Sequence, residues 1–317
     1  MDSSSGWILG LDIGGTKTTV LAGSATGDVF ERRRLASNAQ TGFDRMWGHI
    51  TAAADELVEL RGRPTAVGVS IGGPLDHRRG IVYSPPNLPG WDGIRLKDRL
   101  SDRFAAPTFV EHDAKAGLLA EWYFGAARGY RNVVFLTLGT GLGCGLLLDG
   151  NLYRGATDTS GEIGHWRMAM RGPTAYSKRG SWEAFSSGAG LPRLARHLCP
   201  TRDWSNSMTA EELVAMARSG DRDAARVVHS SATWLGRGIA QLIDLLDPEL
   251  VILGALAVRA GDLYLPVVHR VVQRETITGS GPRRIVAAGL GERIGEVAAL
   301  SAAIHQFAEL HPAPSRE

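Results

Sequence analysis

Leu136 to His165 reads LTLGTGLGCGLLLDGNLYRGATDTSGEIGH. An apolar run from Asn132 to Leu138 enters Gly139-Thr140-Gly141-Leu142-Gly143-Cys144-Gly145, and a strand follows at Leu146 to Leu148. Glycines at alternate positions weaken a strand interior, so they make sense where one face must approach something with no side chain in the way. The dinucleotide fingerprint needs G-x-G-x-x-G opening a helix. Here a strand follows, and the pattern is not a Walker P-loop either. Working outward, the N-terminus carries a similar unit: the run Trp7 to Ile13, a tight turn at Gly14-Gly15, and a return through Thr18 to Val20. Two strand–glycine turn–strand units predict a lobe duplicated at the level of fold.

Between and beyond these units, strands and helices alternate. Phe43 to Leu60 has apolar residues at helical spacing (Met46, Ile50, Ala53, Leu57). Ala66 to Ile71 is a buried strand ending in Gly72-Gly73-Pro74, and Phe109-Val110 a short strand stopping at Glu111-His112-Asp113. Helices are expected over Ala114 to Phe124, Thr209 to Arg218, Asp223 to Leu246 and Ile294 to Leu310, with a strand at Leu250 to Leu253 ending at Gly254 and a frayed tail from Pro312. The alternation argues for an α/β architecture.

The chain has 317 residues, long for one core, so two lobes are expected. A net charge of +2 gives no field to recruit nucleic acid or an anionic membrane. Cys144 and Cys199 are the only cysteines and make no disulfide framework. Met1 to Gly6 lacks the basic and apolar regions of a signal peptide, and no apolar run reaches bilayer length. A cytoplasmic protein is the expectation.

Several residue groups can carry chemistry. In Leu11-Asp12-Ile13-Gly14-Gly15-Thr16-Lys17 the glycines allow backbone N–H groups to approach an anion, Thr16 adds a hydroxyl, Lys17 a charge, and Asp12 could hold Mg²⁺ through water. A plain hairpin turn would use the same residues. Asp113, at a strand end, is placed to take a proton from an attacking hydroxyl; an aspartate there also serves as N-cap of the helix from Ala114. Glu162 and His165 in Gly161-Glu162-Ile163-Gly164-His165, and Glu183 in Gly180-Ser181-Trp182-Glu183, suit vicinal hydroxyls, although a lone histidine is more often structural. Asn87, in Pro86-Asn87-Leu88-Pro89-Gly90-Trp91, offers both donor and acceptor, in what also reads as a turn with Trp91 over the core.

Together these residues resemble the ROK family of repressors, open reading frames and sugar kinases. The resemblance runs from Leu9 to about Phe307 and is strongest over Leu136 to His165, with LDIGGTKT, PPNLPGW and E-x-D-A in the expected order. It implies a two-lobed actin/hexokinase-like (ribonuclease H-like) α/β fold with an interlobe cleft, its small lobe formed by residues 1–113 and 296–317 and its large lobe by 114–295. It implies ATP and Mg²⁺ as cofactors and transfer of the γ-phosphate to the 6-hydroxyl of a hexose. Asp113 matches the catalytic base. Asp12, Gly14, Gly15, Thr16 and Lys17 match one phosphate segment, Gly139, Thr140, Gly141 and Gly143 the other, and Gly254 the adenosine region. Gly73, Asn87, His112, Glu162, His165 and Glu183 match the sugar wall. A homodimer is expected, as is common in the family.

Departures from the family pattern shape the expected specificity. The usual zinc knuckle joins His165's counterpart to three cysteines, but Thr174, Tyr176 and Ser181 stand at the cysteine positions. Hydroxyls replace thiolates poorly, so no structural zinc is expected. His112 stands where Asn is usual, and Lys115 and Ala255 replace commoner small polar and Gly residues. The changed sugar wall suggests a modified hexose, with the aminohexose kanosamine the leading candidate and glucose or a C7-cyclitol as alternatives. A sugar-responsive repressor of the family needs an N-terminal DNA-binding segment, for which a first strand near Trp7 leaves no room.

Overall fold

The structure is a computed structural model, described for residues 6–277 and 284–310; the expected frayed tail lies outside that range. Along the chain come β1 (Ile8–Ile13), β2 (Lys17–Gly23), β3 (Val29–Ala36), α1 (Phe43–Arg61), β4 (Ala66–Ile71), β5 (Leu75–Asp76), β6 (Ile81–Val82), β7 (Ile94–Arg95), α2 (Leu96–Phe104), β8 (Thr108–His112) and α3 (Asp113–Phe124). The second half adds β9 (Val133–Leu138), β10 (Leu142–Leu148), β11 (Asn151–Leu152), β12 (Thr174–Ala175), β13 (Lys178–Arg179), α4 (Trp182–Ser186), α5 (Gly190–Leu198), α6 (Ala210–Arg218) and α7 (Arg222–Leu246). It closes with β14 (Leu250–Leu253), α8 (Leu256–Arg259), α9 (Gly261–Glu275), β15 (Arg284–Ala287) and α10 (Ile294–Leu310).

The chain forms two compact units: residues 1–128, 154–159 and 293–317, and residues 129–153 and 160–292. The division differs from the expected one at 113/114 and 295/296. Helix α3 packs on α10 and stays with the first unit, as do residues 154–159.

In the first unit the main sheet runs β3-β2-β1-β4-β8. β1 pairs antiparallel with β2 and parallel with β4, which pairs parallel with β8. The inner strands β1 and β4 are apolar and buried along nearly their whole length, as strands covered on both faces must be. Edge strand β3 alternates between half-buried and exposed residues along VFERRRLA, the pattern of a strand with one face in water. Met46, Ile50, Ala54 and Leu57 of α1 join Leu11, Ile13, Val69 and Trp91 in one core.

The second unit repeats the plan with the sheet β11-β10-β9-β14-β15. β9 is antiparallel to β10 and parallel to β14, which is parallel to β15. The duplication expected from the glycine turns is thus present in strand order and direction. One boundary is corrected. Gly143 and Gly145 lie inside β10, which starts at Leu142, so only Gly139 to Gly141 form the turn. The core of this unit gathers Leu136, Trp182, Leu235, Ile239, Leu253 and Tyr264. Helix α6 opens with a reciprocal cap between Thr209 and Glu212, and α7 is capped by Asp221, which explains where both begin.

Candidate active site

Each unit carries part of the expected site. In the first, the residues of interest sit at the carboxyl ends of the parallel strands β1, β4 and β8, where open α/β sheets bind ligands. Asp12 faces Ser70 in register, and the Ser70 hydroxyl donates to Asp12 Oδ1 at 3.2 Å. Burial pushes the Asp12 carboxyl up to about 6, with Ser70 opposing and the nearby charge of Asp113 adding to the rise. Gly295, in the first turn of α10, lies against Asp12 Oδ2, where a side chain would collide. Ser70 and Gly295 were not singled out from the sequence. Only the Asp12–Ser70 strand register points to the first, and no local signal marks the second.

The Gly14–Lys17 connection is tied by Gly14 N–H donating to Lys17 O at 3.1 Å and by the Ser37 hydroxyl donating to Gly14 O at 2.5 Å. A Cβ on Gly15 would come within 2.6 Å of the Asn87 carbonyl oxygen. The close approach that requires glycine here is therefore to the backbone of the PPNLPGW segment, which brings the two motifs together. Thr16, Lys17 and Asn87 are exposed, while Trp91 is fully buried edge-on to Phe43, as part of the core.

Asp113 is the first residue of α3 and not its N-cap. That place belongs to His112, whose Nδ1 accepts from Ala114 N–H at 3.3 Å. The Asp113 side chain is 50% exposed, so its carboxylate is available to a ligand. Its Oδ1 accepts from Ala114 N–H at 2.6 Å and lies 3.2 Å from His112 Nδ1. The imidazole fills the space a Gly73 side chain would need, 2.6 Å from the position of its Cβ. Gly73, His112 and Asp113 thus form one cluster, with Asp12 near enough to feel the charge of Asp113.

In the second unit, Glu183 at the start of α4 supports the glycine turn. Its Oε2 accepts from Leu142 N–H at 3.0 Å and would meet a Cβ on Gly141 at 2.5 Å. Gly188 N–H donates to Gly139 O at 2.7 Å, and Ala189 N–H to Thr140 O at 3.4 Å. Burial raises the Glu183 carboxyl above its ordinary range; Leu142 N–H and His165 oppose this, and Glu162 adds to it. Glu162 and His165, both exposed, bound one 3-10 turn whose middle residues Ile163 and Gly164 are buried, and with Glu183 these three predicted residues share a neighbourhood. Gly254 follows β14, its N–H donating to Leu136 O at 2.8 Å, which sets it beside β9 rather than at the glycine turn.

The zinc donors expected to be missing are replaced by ordinary structure. Thr174 lies in β12, Tyr176 takes the first left-handed place of the β12–β13 turn, and buried Ser181 caps α4. The Tyr176 ring lies 6.0 Å from that of His165, Lys178 Nζ donates to His165 O at 2.5 Å, and Trp166 stacks on Trp182. One imidazole with three hydroxyls does not fit a structural zinc. Among the described residues no group of three His, Cys, Asp or Glu could hold a metal ion.

Residues 8–305 match the ROK family, and the chain belongs to it. It is 32% identical over 309 residues to a glucokinase of Thermotoga maritima, covering 93% of this chain and 96% of that protein. A crystal structure of a Streptomyces griseus ROK family glucokinase in complex with glucose and AMPPNP superposes with a TM-score of 0.81 at 31% identity, covering 95% of this chain and all of that one. The family also includes repressors. A Bacillus subtilis xylose repressor is 24% identical over 98% of this chain and 80% of its own length. No helix among the described residues is long and apolar enough to cross a membrane.

Proposed function

We propose that this protein is an ATP-dependent sugar kinase that phosphorylates the 6-hydroxyl of a hexose or aminohexose. The observation that carries the reading is Asp113: a half-exposed carboxylate at the carboxyl end of β8, grouped with His112 and Gly73, in a chain about 30% identical to glucokinases along nearly its whole length. In this reading Asp113 takes the proton of the sugar hydroxyl, whose oxygen attacks the γ-phosphorus. The bond to the β,γ-bridging oxygen breaks and ADP leaves.

The two glycine turns take the phosphates through backbone N–H groups, with Thr16, Lys17 and Thr140 beside them. Asp12 fits a divalent cation, being a partly buried carboxylate with a hydroxyl neighbour at Ser70. Bound Mg²⁺ would offset phosphate charge. Asn87, His112, Glu162, His165 and Glu183 bind the sugar, and Gly254 lies near the adenosine.

His112 in place of the usual Asn supports a modified hexose, with kanosamine the leading candidate and glucose or a C7-cyclitol next. Glu162 and Glu183 suit a cationic substrate, whose binding weakens as salt is added. A homodimer is part of the same reading.

A coupled ADP-release assay over glucose, glucosamine, kanosamine, mannose, N-acetylmannosamine, fructose and cyclitols tests it. Sugar-dependent ADP release is expected, fastest with an aminohexose. Sugar binding with no ADP release for any of them would favour an effector-binding protein instead.

A further inference from the structure

The base-bearing junction β8–α3 is held from both sides by one short segment of the first unit. On the strand side, buried Glu111 accepts from Arg154 Nη2 at 2.6 Å through Oε2, and its Oε1 accepts from His112 N–H at 3.0 Å. On the helix side, Lys115 is only 2% exposed, and its Nζ donates to the backbone carbonyl of Asp158 at 2.5 Å. Asp158 is fixed in turn. Its Oδ2 accepts from His77 N–H at 3.1 Å and lies 2.6 Å from His77 Nδ1, while its backbone is left-handed with φ 62°. Residues 111 and 115, each two places from Asp113, are therefore both bonded to residues 154–158.

Burying an ammonium is costly, and an apolar side chain of similar volume is often as stable or more so. Lys115 is thus an inefficient way to stabilise a helix and an effective way to hold one carbonyl. Asp113 itself has little to hold it: half-exposed, on the first residue of a helix, it contacts its immediate neighbours His112 Nδ1 and Ala114 N–H. Its direction depends on how firmly the first turn of α3 is held.

We propose that Lys115 is a positioning residue, which with Arg154 fastens the first turn of α3 to residues 154–158 and so fixes the direction of the Asp113 carboxylate. The proposal rests on Asp113 being the base, but its mechanical half does not.

The test uses the full chain with Lys115→Met, Lys115→Arg and His77→Ala. Hydrogen exchange reads the anchoring whether or not the protein turns over. Lys115→Met should speed exchange in 154–159 and 113–116, while Lys115→Arg restores much of the protection. Kinetics read the consequence: kcat falls ~10- to 100-fold in Lys115→Met, as expected for a displaced catalytic group, with sugar KM little changed and the melting temperature close to wild type. Unchanged exchange in Lys115→Met overturns the proposal, and so does faster exchange with unchanged kcat. Should Lys115→Met fail to fold, His77→Ala frees Asp158 from its other side and must give the same combination for the proposal to stand. Absence of sugar-dependent turnover in wild type would defeat the kinase reading alone, leaving exchange to decide the anchoring.

Discussion

The two glycine hairpins share a topology and differ in chemistry. The last cross-strand pairs before the turns are Ile13↔Thr18 and Leu138↔Leu142, so the first connection is one residue longer. Counting back from those pairs, Asp12 occupies the place of Thr137. The first turn carries a carboxylate with a raised pKa and a lysine; the second carries no charge of its own and leans on a buried glutamate from α4. One scaffold therefore supplies two tools: a charged turn suited to a cation or a charged phosphate, and a neutral turn that offers backbone N–H groups and a hydroxyl.

Three substitutions test that contrast and a fourth probes the backbone before α8, from the largest expected effect to the smallest. In Gly15→Ala the new methyl meets the Asn87 backbone carbonyl, which cannot swing aside. A loss of ~1–3 kcal/mol is expected, read as a lower melting temperature together with a raised sugar KM. Gly141→Ala meets only the end of the Glu183 side chain, which can move at the cost of its bond to Leu142 N–H. About 1 kcal/mol is expected, and a loss equal to that of Gly15→Ala would erase the distinction.

Asp12→Asn probes the charge itself. The native carboxyl titrates near 6, above its unfolded value, so the unfolded chain releases its proton first as pH rises. Stability contributed at this site is therefore highest below the unfolded value, falls across roughly pH 4–6 and stays low above it. Asp12→Asn should raise the melting temperature by ~2–6 °C at pH 7.5 and by little near pH 4, while lowering activity with Mg-ATP. A gain independent of pH would mean that burial does not raise the Asp12 carboxyl. Ala255 gives the smallest effect. Its φ of 45° is glycine territory, so Ala255→Gly should leave stability equal or improve it by about 1 kcal/mol or less in a thermal melt.

How much of this could be read from the chain depends on distance along it. The hairpins, α1, α10 and the strand before Gly72 followed from periodicity and glycine punctuation, which are local. The strand start at Leu142 was misplaced because glycine reads as a breaker, yet Gly143 and Gly145 pair within β10. Asp113 was read both as base and as cap because the two uses look alike in one dimension; the structure gives the cap to His112. Lys115 had no rationale in sequence because its partner, Asp158, lies 43 residues away. The left-handed backbone at Ala255 explains why glycine suits that place, and nothing local in the sequence marks it. Glu183 was singled out as a sugar contact, but its support of Leu142 depends on packing between α4 and β10 that no local pattern records.

The most direct test of the account is Asp113→Asn, which keeps shape and removes the proton acceptor. Turnover in the ADP-release assay should fall by ~10²–10⁴-fold, the range for loss of a general base, with sugar affinity measured by calorimetry almost unchanged. Near wild-type turnover in Asp113→Asn would contradict the claim that this carboxylate activates the sugar.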